Sequence, residues 1–292
     1  MTGEPVPAAA RSARRTRKGR IEILLLACAL LLAAASPASA HPGVGIVLDR
    51  RGNVFYTDLH HVWRIAPDGR RSIAVRDVHT HELAIDSAGN LFGEDNRYQG
   101  GDRYRHRVWR RTPDGRVTDV VPWRDGFWRE YGFVWDRAGA MYWVQCPGRV
   151  CTIRRRTRDG RTSTFAPGVR FDRQINWIAA GPDGSLYVVD GPDLRRVTRE
   201  GRLTTVARGL GEHLMGMWPD GRGSVYVAVY GARAVVRVGA DGRVATVART
   251  PAPWGPSGVA VAPNGDLWIL EYSTSNEARV RRVAANGRVT VF

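Results

Sequence analysis

Lysine is almost missing from this 292-residue chain: Lys18 is the only one, and every basic residue after position 40 is arginine. Setting aside the six basic and two acidic residues of the first 40 leaves 38 basic against 26 acidic side chains, a net charge of +12. An all-arginine bias of this kind reads first as a solvated surface from a GC-rich coding sequence. Binding of an anionic polymer or of lipid headgroups is the alternative. No nucleic-acid-binding motif accompanies the charge, so a nucleic-acid partner is not expected. Also missing are a G-x-S-x-G elbow, an H-E-x-x-H helix, a phosphate-binding Walker loop and a dinucleotide fingerprint, which removes the commonest hydrolase, NTPase and oxidoreductase signatures. No helical period appears after residue 40, so helical architectures are excluded.

Long apolar runs are equally scarce. The single one, Ile21–Ala35, is interrupted by Glu22 and falls short of the ~20 residues that a spanning helix needs. It follows a basic head (Arg11, Arg14, Arg15, Arg17, Lys18, Arg20) and precedes Ala38-Ser39-Ala40. Basic head, apolar middle and A-x-A tail make residues 1–40 an export signal peptide, with a mature domain at 41–292 in the periplasm or outside the cell, and no membrane span after cleavage. Of three cysteines, Cys28 belongs to this leader; a lipoprotein site at Cys28 and an uncleaved membrane anchor are the alternatives to a cleaved signal. Cys146 and Cys151 remain, and in an oxidising compartment they read as a hairpin disulfide; metal ligation and a thiol nucleophile are the alternatives.

What the chain has in abundance is repetition. "APDGR" at 66–70 returns at 112–116, 157–161, 198–202, 239–243 and 284–288 with small changes. A second phrase, "DRRGNVFY" at 49–56, returns at 86–93, 136–143, 181–188, 218–227 and 262–269. The two phrases occur six times each, with a mean period of about 42 residues. Each unit reads as four short strands rich in β-branched and aromatic residues, with Asp/Asn-Gly pairs supplying the positive φ of tight hairpins. Four strands per unit of this length is the pattern of a β-propeller blade, so the fold class is all-β, a six-bladed propeller of four-stranded antiparallel blades. The chain opens on an inner strand and ends on an outer one, which predicts that blade one packs directly on blade six. Arginines recur on the third strands (Arg64, Arg110, Arg154, Arg196, Arg237, Arg282) and read as structural partners of the turn aspartates.

Hairpin connectivity puts both turn phrases on one face and the starts of the inner strands on the other. Eight residues before each first-turn glycine stand Val44, His81, Tyr131, Asn176, His213 and Ser257, a ring around the channel mouth. The ends of the second strands are Asp58, Asp95, Gln145, Asp190, Val229 and Glu271. Two histidines, an asparagine and several carboxylates thus converge on one mouth. His81 and His213 should face one shared cavity, with Asn176, Asp95, Asp190 and Glu271 approaching it and His79 lying further out. A polar, water-bridged channel lining is the competing reading. Loops read at 94–107 and 122–131 carry Tyr98, Tyr104, Trp123, Phe127 and Trp128, which with Trp177 and Trp254 could wall a small-molecule pocket.

The repeated P-[D/N]-G-x-L-[Y/W]-[V/I] phrase followed by V-x-R-[V/I] resembles NHL-repeat propellers, the SMP-30/gluconolactonase/LRE-like group and the virginiamycin B lyase-like proteins, across essentially all of 41–292. The gluconolactonase-like resemblance implies a divalent metal at the mouth and places Asn176 at the family asparagine. This chain departs from that pattern: His213 replaces the next acidic ligand, and "HPGVGIVLD" opens blade one without a glutamate. The virginiamycin B lyase-like resemblance implies a histidine ahead of an inner strand with an acidic partner, a pattern met by His81 and by His213 with Glu212; that family is normally seven-bladed. The function implied is an exported monomeric enzyme that opens or eliminates across a small cyclic ester. His81 or His213 would be its base with Glu212 nearby, and Asn176, Asp95 and Asp190 would ligate Ca²⁺ or Mg²⁺. Tyr131, Trp177, Glu271 and Trp254 would contact substrate. A non-catalytic propeller binding a ligand or an envelope protein is the alternative.

Overall fold

The computed structural model describes residues 42–292 except 102, 127–131, 137, 149, 174 and 176. The leader reading and the assignments to Tyr131, Asn176, Phe127 and Trp128 lie outside the described residues. Twenty-four strands form six four-stranded antiparallel sheets, each built from consecutive strands. Blade one is β1 (Ile46–Leu48), β2 (Val54–Thr57), β3 (Val62–Ile65) and β4 (Arg71–Val75); blade two is β5 (Ala84–Ile85), β6 (Leu91–Gly100), β7 (Arg103–Arg111) and β8 (Val117–Asp125). Blade three is β9 (Phe133–Trp135), β10 (Met141–Gln145), β11 (Thr152–Arg156) and β12 (Thr162–Phe165); blade four is β13 (Ile178–Ala180), β14 (Leu186–Asp190), β15 (Asp193–Val197) and β16 (Leu203–Ala207). Blade five is β17 (Leu214–Pro219), β18 (Val225–Val229), β19 (Ala234–Val238) and β20 (Val244–Arg249); blade six is β21 (Gly255–Val261), β22 (Leu267–Tyr272), β23 (Ala278–Val283) and β24 (Val289–Val291). Among the described residues there is no helix, and so none long and apolar enough to cross a membrane.

The turn phrases form as their chemistry dictates. In the first, Asp49 Oδ1 accepts from the amides of Arg51 and Asn53, and Gly52 takes the positive φ of 79° that closes the turn. Between blades, apolar side chains interleave. Ile46, Val54, Tyr56 and Ile65 of blade one pack on Ala260, Leu270, Tyr272 and Val280 of blade six. Blade one therefore does close on blade six by side-chain packing, without a shared strand. The Tyr272 hydroxyl donates to the Thr57 carbonyl at 3.1 Å across this seam. Close approach at the axis uses glycine: a Cβ on Gly258 would lie 2.3 Å from the Val44 carbonyl oxygen.

Two expectations change. The segment 94–107 is not a loop, because β6 and β7 continue through it and turn at Gly100 and Gly101, both at positive φ. Its alternating side chains are strand-compatible, and the Gly-Gly pair alone suffices for the reversal. Trp123 lies in β8 of the same extended sheet, beneath the guanidinium groups of Arg97, Arg105 and Arg107 at 5.0, 5.6 and 4.9 Å. The third-strand arginine of blade three is Arg155 rather than Arg154. Register pairs Arg155 with Tyr142 as it pairs Arg64 with Phe55 and Arg196 with Tyr187.

Candidate functional site

The six inner strands enclose a narrow channel cavity of about 90 Å³, with lining residues from every blade, among them Val44, Glu82, Phe133, Trp177, Met217 and Val259. Among the described residues, Glu82 is the only charged residue of that lining. It belongs to the segment from His79 to Glu82 that leads into β5, and this segment is tied on every side. The Thr57 hydroxyl donates to the Thr80 carbonyl at 2.6 Å, and the Thr80 hydroxyl donates to the Glu94 carbonyl. The His81 carbonyl accepts from the amides of Val44 and Gly45 in blade one at 2.7 and 2.9 Å. The Glu82 carboxylate accepts from the amides of Gly132 and Phe133 in blade three at 2.8 and 2.6 Å. Three blades thus hold four consecutive residues.

The chemistry concentrates on His81. Its Nδ1 lies 3.0 Å from Glu94 Oε1, and its backbone amide donates to the same oxygen at 2.5 Å. The side chains of Glu94 and His81 are 4% and 12% exposed, so water does little to screen the pair. The Glu82 amide also reaches Glu94, at 3.4 Å to Oε2. Burial lifts the Glu82 carboxyl well above the usual carboxylate range; the Glu94 carboxylate adds to the lift, and the amides of Phe133 and Gly132 oppose it. His79 does not lie apart as the sequence placed it. Its ring meets that of His81 edge to face at 4.7 Å, and its Nδ1 stands 3.0 Å from the Leu59 carbonyl. Burial pushes its imidazole below the usual value, and neighbouring His81 pushes the same way.

The remaining sequence-selected residues have other surroundings. Asp95 is fully buried and bonded by Arg97 and Arg107, each with an N–O separation near 3 Å, and by the His79 amide. Asp190 is bonded by Arg195 at 2.8 Å and faces Arg173 at 3.3 Å. Glu271, also fully buried, accepts from Arg279, Arg281 and the Thr250 hydroxyl. His213 and Glu212 are exposed, and His213 takes a positive φ of 55° with its carbonyl accepting from the Tyr230 amide. Trp177 lines the channel, whereas Trp254 lies under the Arg279 guanidinium at 4.0 Å. Cys146 and Cys151 form the disulfide, and Cys151 exchanges backbone hydrogen bonds with Phe171.

These surroundings bear on the metal. Among the described residues no group of three or more His, Cys, Asp or Glu side chains is placed to hold one. A divalent ion at Asp95 or Asp190 would compete with two guanidinium groups for the same oxygens. The described residues therefore do not fit a Ca²⁺ or Mg²⁺ site, and Asn176 is outside them. Glu94 is the residue that sequence reasoning missed. Counting to the expected end of the second strand reached Asp95, but neighbouring strand residues point to opposite faces. Asp95 faces its cross-strand partner Arg107, and Glu94 faces His81. Requiring the same strand parity as the inner-strand histidine was the available signal.

Neither a family model nor a curated protein matches the chain. Solved structures do. One is a catalytically inactive histidine-to-alanine variant of virginiamycin B lyase from Staphylococcus aureus with quinupristin, at 17% identity and a TM-score of 0.55, covering 88% of this chain and 85% of that one. Another is a gluconolactonase from Xanthomonas campestris, at 17% identity and a TM-score of 0.58, covering 77% and 82%. The chain has the fold of the SMP-30/gluconolactonase-like propellers. A calcium-binding protein, regucalcin, from Agrobacterium tumefaciens shares it at 18% identity and a TM-score of 0.56, covering 78% and 81%.

Proposed function

We propose that this propeller is an exported monomeric enzyme that opens a small cyclic ester at the channel mouth, with His81 as general base and Glu94 as the group that orients it. The carrying observation is the buried Glu94–His81 contact of 3.0 Å beside the second buried carboxyl, Glu82. A carboxylate at Nδ1 fixes the Nδ1–H tautomer, so Nε2 carries the lone pair and the basicity. The raised proton affinity of Glu82 eases the repulsion between the two carboxyls, and Glu94, in contact with Nδ1, orients the ring. In hydrolysis, Nε2 takes a proton from water as the water oxygen bonds to the ester carbonyl carbon. The ring C–O bond then breaks, and the leaving alkoxide receives that proton. In elimination, Nε2 takes a proton from the carbon next to the C–O bond, which breaks to give an alkene and a carboxylate.

The similar folds support this reading: one neighbour is a gluconolactonase, and another is a lyase inactivated by replacing one histidine. The test is a panel of lactones and cyclic depsipeptides incubated with the full chain and followed by mass. Opening with the added mass of water identifies hydrolysis; ring opening at unchanged mass identifies elimination. Turnover of no panel member, alongside saturable binding of one, would replace this proposal with a ligand-binding propeller.

A further inference from the structure

The opposite end of the propeller holds a second cavity, in whose lining four arginines stand against three aspartates. All six blades carry an arginine on the third strand opposite an aromatic residue on the second: Arg64 with Phe55, Arg110 with Phe92, Arg155 with Tyr142, Arg196 with Tyr187, Arg237 with Tyr226 and Arg282 with Trp268. In blades four to six the guanidinium bonds to the residue that ends the first turn, Ser185, Ser224 or Asp266. In blades one to three that position is Asn53, Asn90 or Ala140. Both asparagines spend their amide groups on their own turn aspartates, and alanine has nothing to offer. The Nε atoms of Arg64, Arg110 and Arg155 are accordingly buried without a hydrogen-bond partner.

At the seam of blades one and two, Arg64 meets a second arginine. Where β3, β15, β19 and β23 end in Ile65, Val197, Val238 and Val283, β7 ends in Arg111, whose Nε donates to the Ala74 carbonyl of blade one at 3.2 Å. Arg111 and Arg64 line one cavity of about 660 Å³, with Arg50 and Arg51 also in its lining and Phe55 and Trp135 among its apolar walls. Burial pushes the Arg111 guanidinium below its ordinary value, and the nearby charge of Arg64 pushes it further. Asp114 opposes both effects, and the lining carboxylates keep their charge, but their oxygens are already taken by other donors. Asp49 and Asp86 are each spent on two backbone amides and an asparagine, and Asp136 on two amides and the Tyr142 hydroxyl.

We infer that the turn-face cavity between blades one and two binds a small organic oxyanion, a phosphate, sulfate or carboxylate held between Arg64 and Arg111 with its apolar body against Phe55 and Trp135. Guanidinium forks match planar and tetrahedral oxyanions in geometry and charge, and the cavity volume falls within the roughly 300–1,000 Å³ of small-ligand sites. An anion there lies against both guanidinium groups and offsets the repulsion between the two cations. The site stands apart from the channel mouth and does not depend on the reaction proposed there.

The test is calorimetric titration of the full chain with phenyl phosphate and with inorganic phosphate, at ionic strength held constant with potassium chloride. Expected is saturable one-to-one binding, tighter for phenyl phosphate, weakened about tenfold or more by Arg64→Met and by Arg111→Met. Arg288→Met, in the exposed last turn, should leave it unchanged. Arg64→Met should melt no lower than the parent without ligand, because it removes an unpartnered buried donor. Arg64→Lys, which keeps the charge but not the fork, should weaken binding as well and serves if the methionine variant does not fold. Heat that does not saturate, or binding that survives replacement of both arginines, overturns the inference.

Discussion

Buried carboxyls do opposite work at different positions in this molecule. Glu82 is lifted by burial and by Glu94, so the folded state holds its proton more tightly than the unfolded chain does. Its contribution to stability is present below the unfolded carboxyl value of about 4.3 and is lost as pH rises from there toward the folded value, at about 1.4 kcal/mol for each tenfold change in proton affinity. Melting curves of the parent and of Glu82→Gln should therefore converge or cross as pH rises, the parent losing more; parallel curves would show that Glu82 does not titrate in this way. Glu271 is a paired carboxylate. Glu271→Ala strands the buried Arg281 and should cost about 3–5 kcal/mol in chemical denaturation, whereas a residue serving only substrate would change stability little. His81 was legible from the sequence because its position recurs in each repeat. Glu94 was not, since a count along a strand yields a position but not a face. The arginine partners of Asp95, Asp190 and Glu271 sit on the same strand, on neighbouring strands or on connections, and carry no motif of their own.

Among the elements, the hairpins were legible and their lengths were not. Aspartate and glycine at fixed offsets fix each turn, whereas nothing but pairing energy ends a strand. That is why β6 and β7 run on through a segment read as a loop. The same extended sheet packs the Trp109 ring onto Gly93, where a Cβ would lie 2.2 Å from the ring. Gly93→Ala should accordingly lower stability by about 1–3 kcal/mol, measured by denaturant midpoint; an unchanged midpoint would mean that the ring moves aside freely. The Cys146–Cys151 bond closes a short loop and ties it to the strand neighbour Phe171. Replacing both cysteines by alanine should cost about 2 kcal/mol, the chain-entropy value for so small a loop, with little effect elsewhere in the ring.

For the whole molecule, the six repeats dictate six blades, and the order of strands dictates closure without exchange. The seam between blades one and six depends on close packing at Gly258 and on the Tyr272–Thr57 hydrogen bond. The inner strands meet at a channel whose only charged lining residue among the described residues is Glu82, next in the chain to His81. Glu82 adjoins the buried Glu94–His81 pair, and the proposed reaction rests on that pair. The most direct measurement is the rate of lactone opening by the full chain carrying His81→Ala, with its melting temperature recorded on the same sample. A loss of about 10²-fold or more in rate at a nearly unchanged melting temperature is the predicted result. Full rate in a well-folded His81→Ala chain, or loss of the fold along with the rate, would contradict His81 as the base.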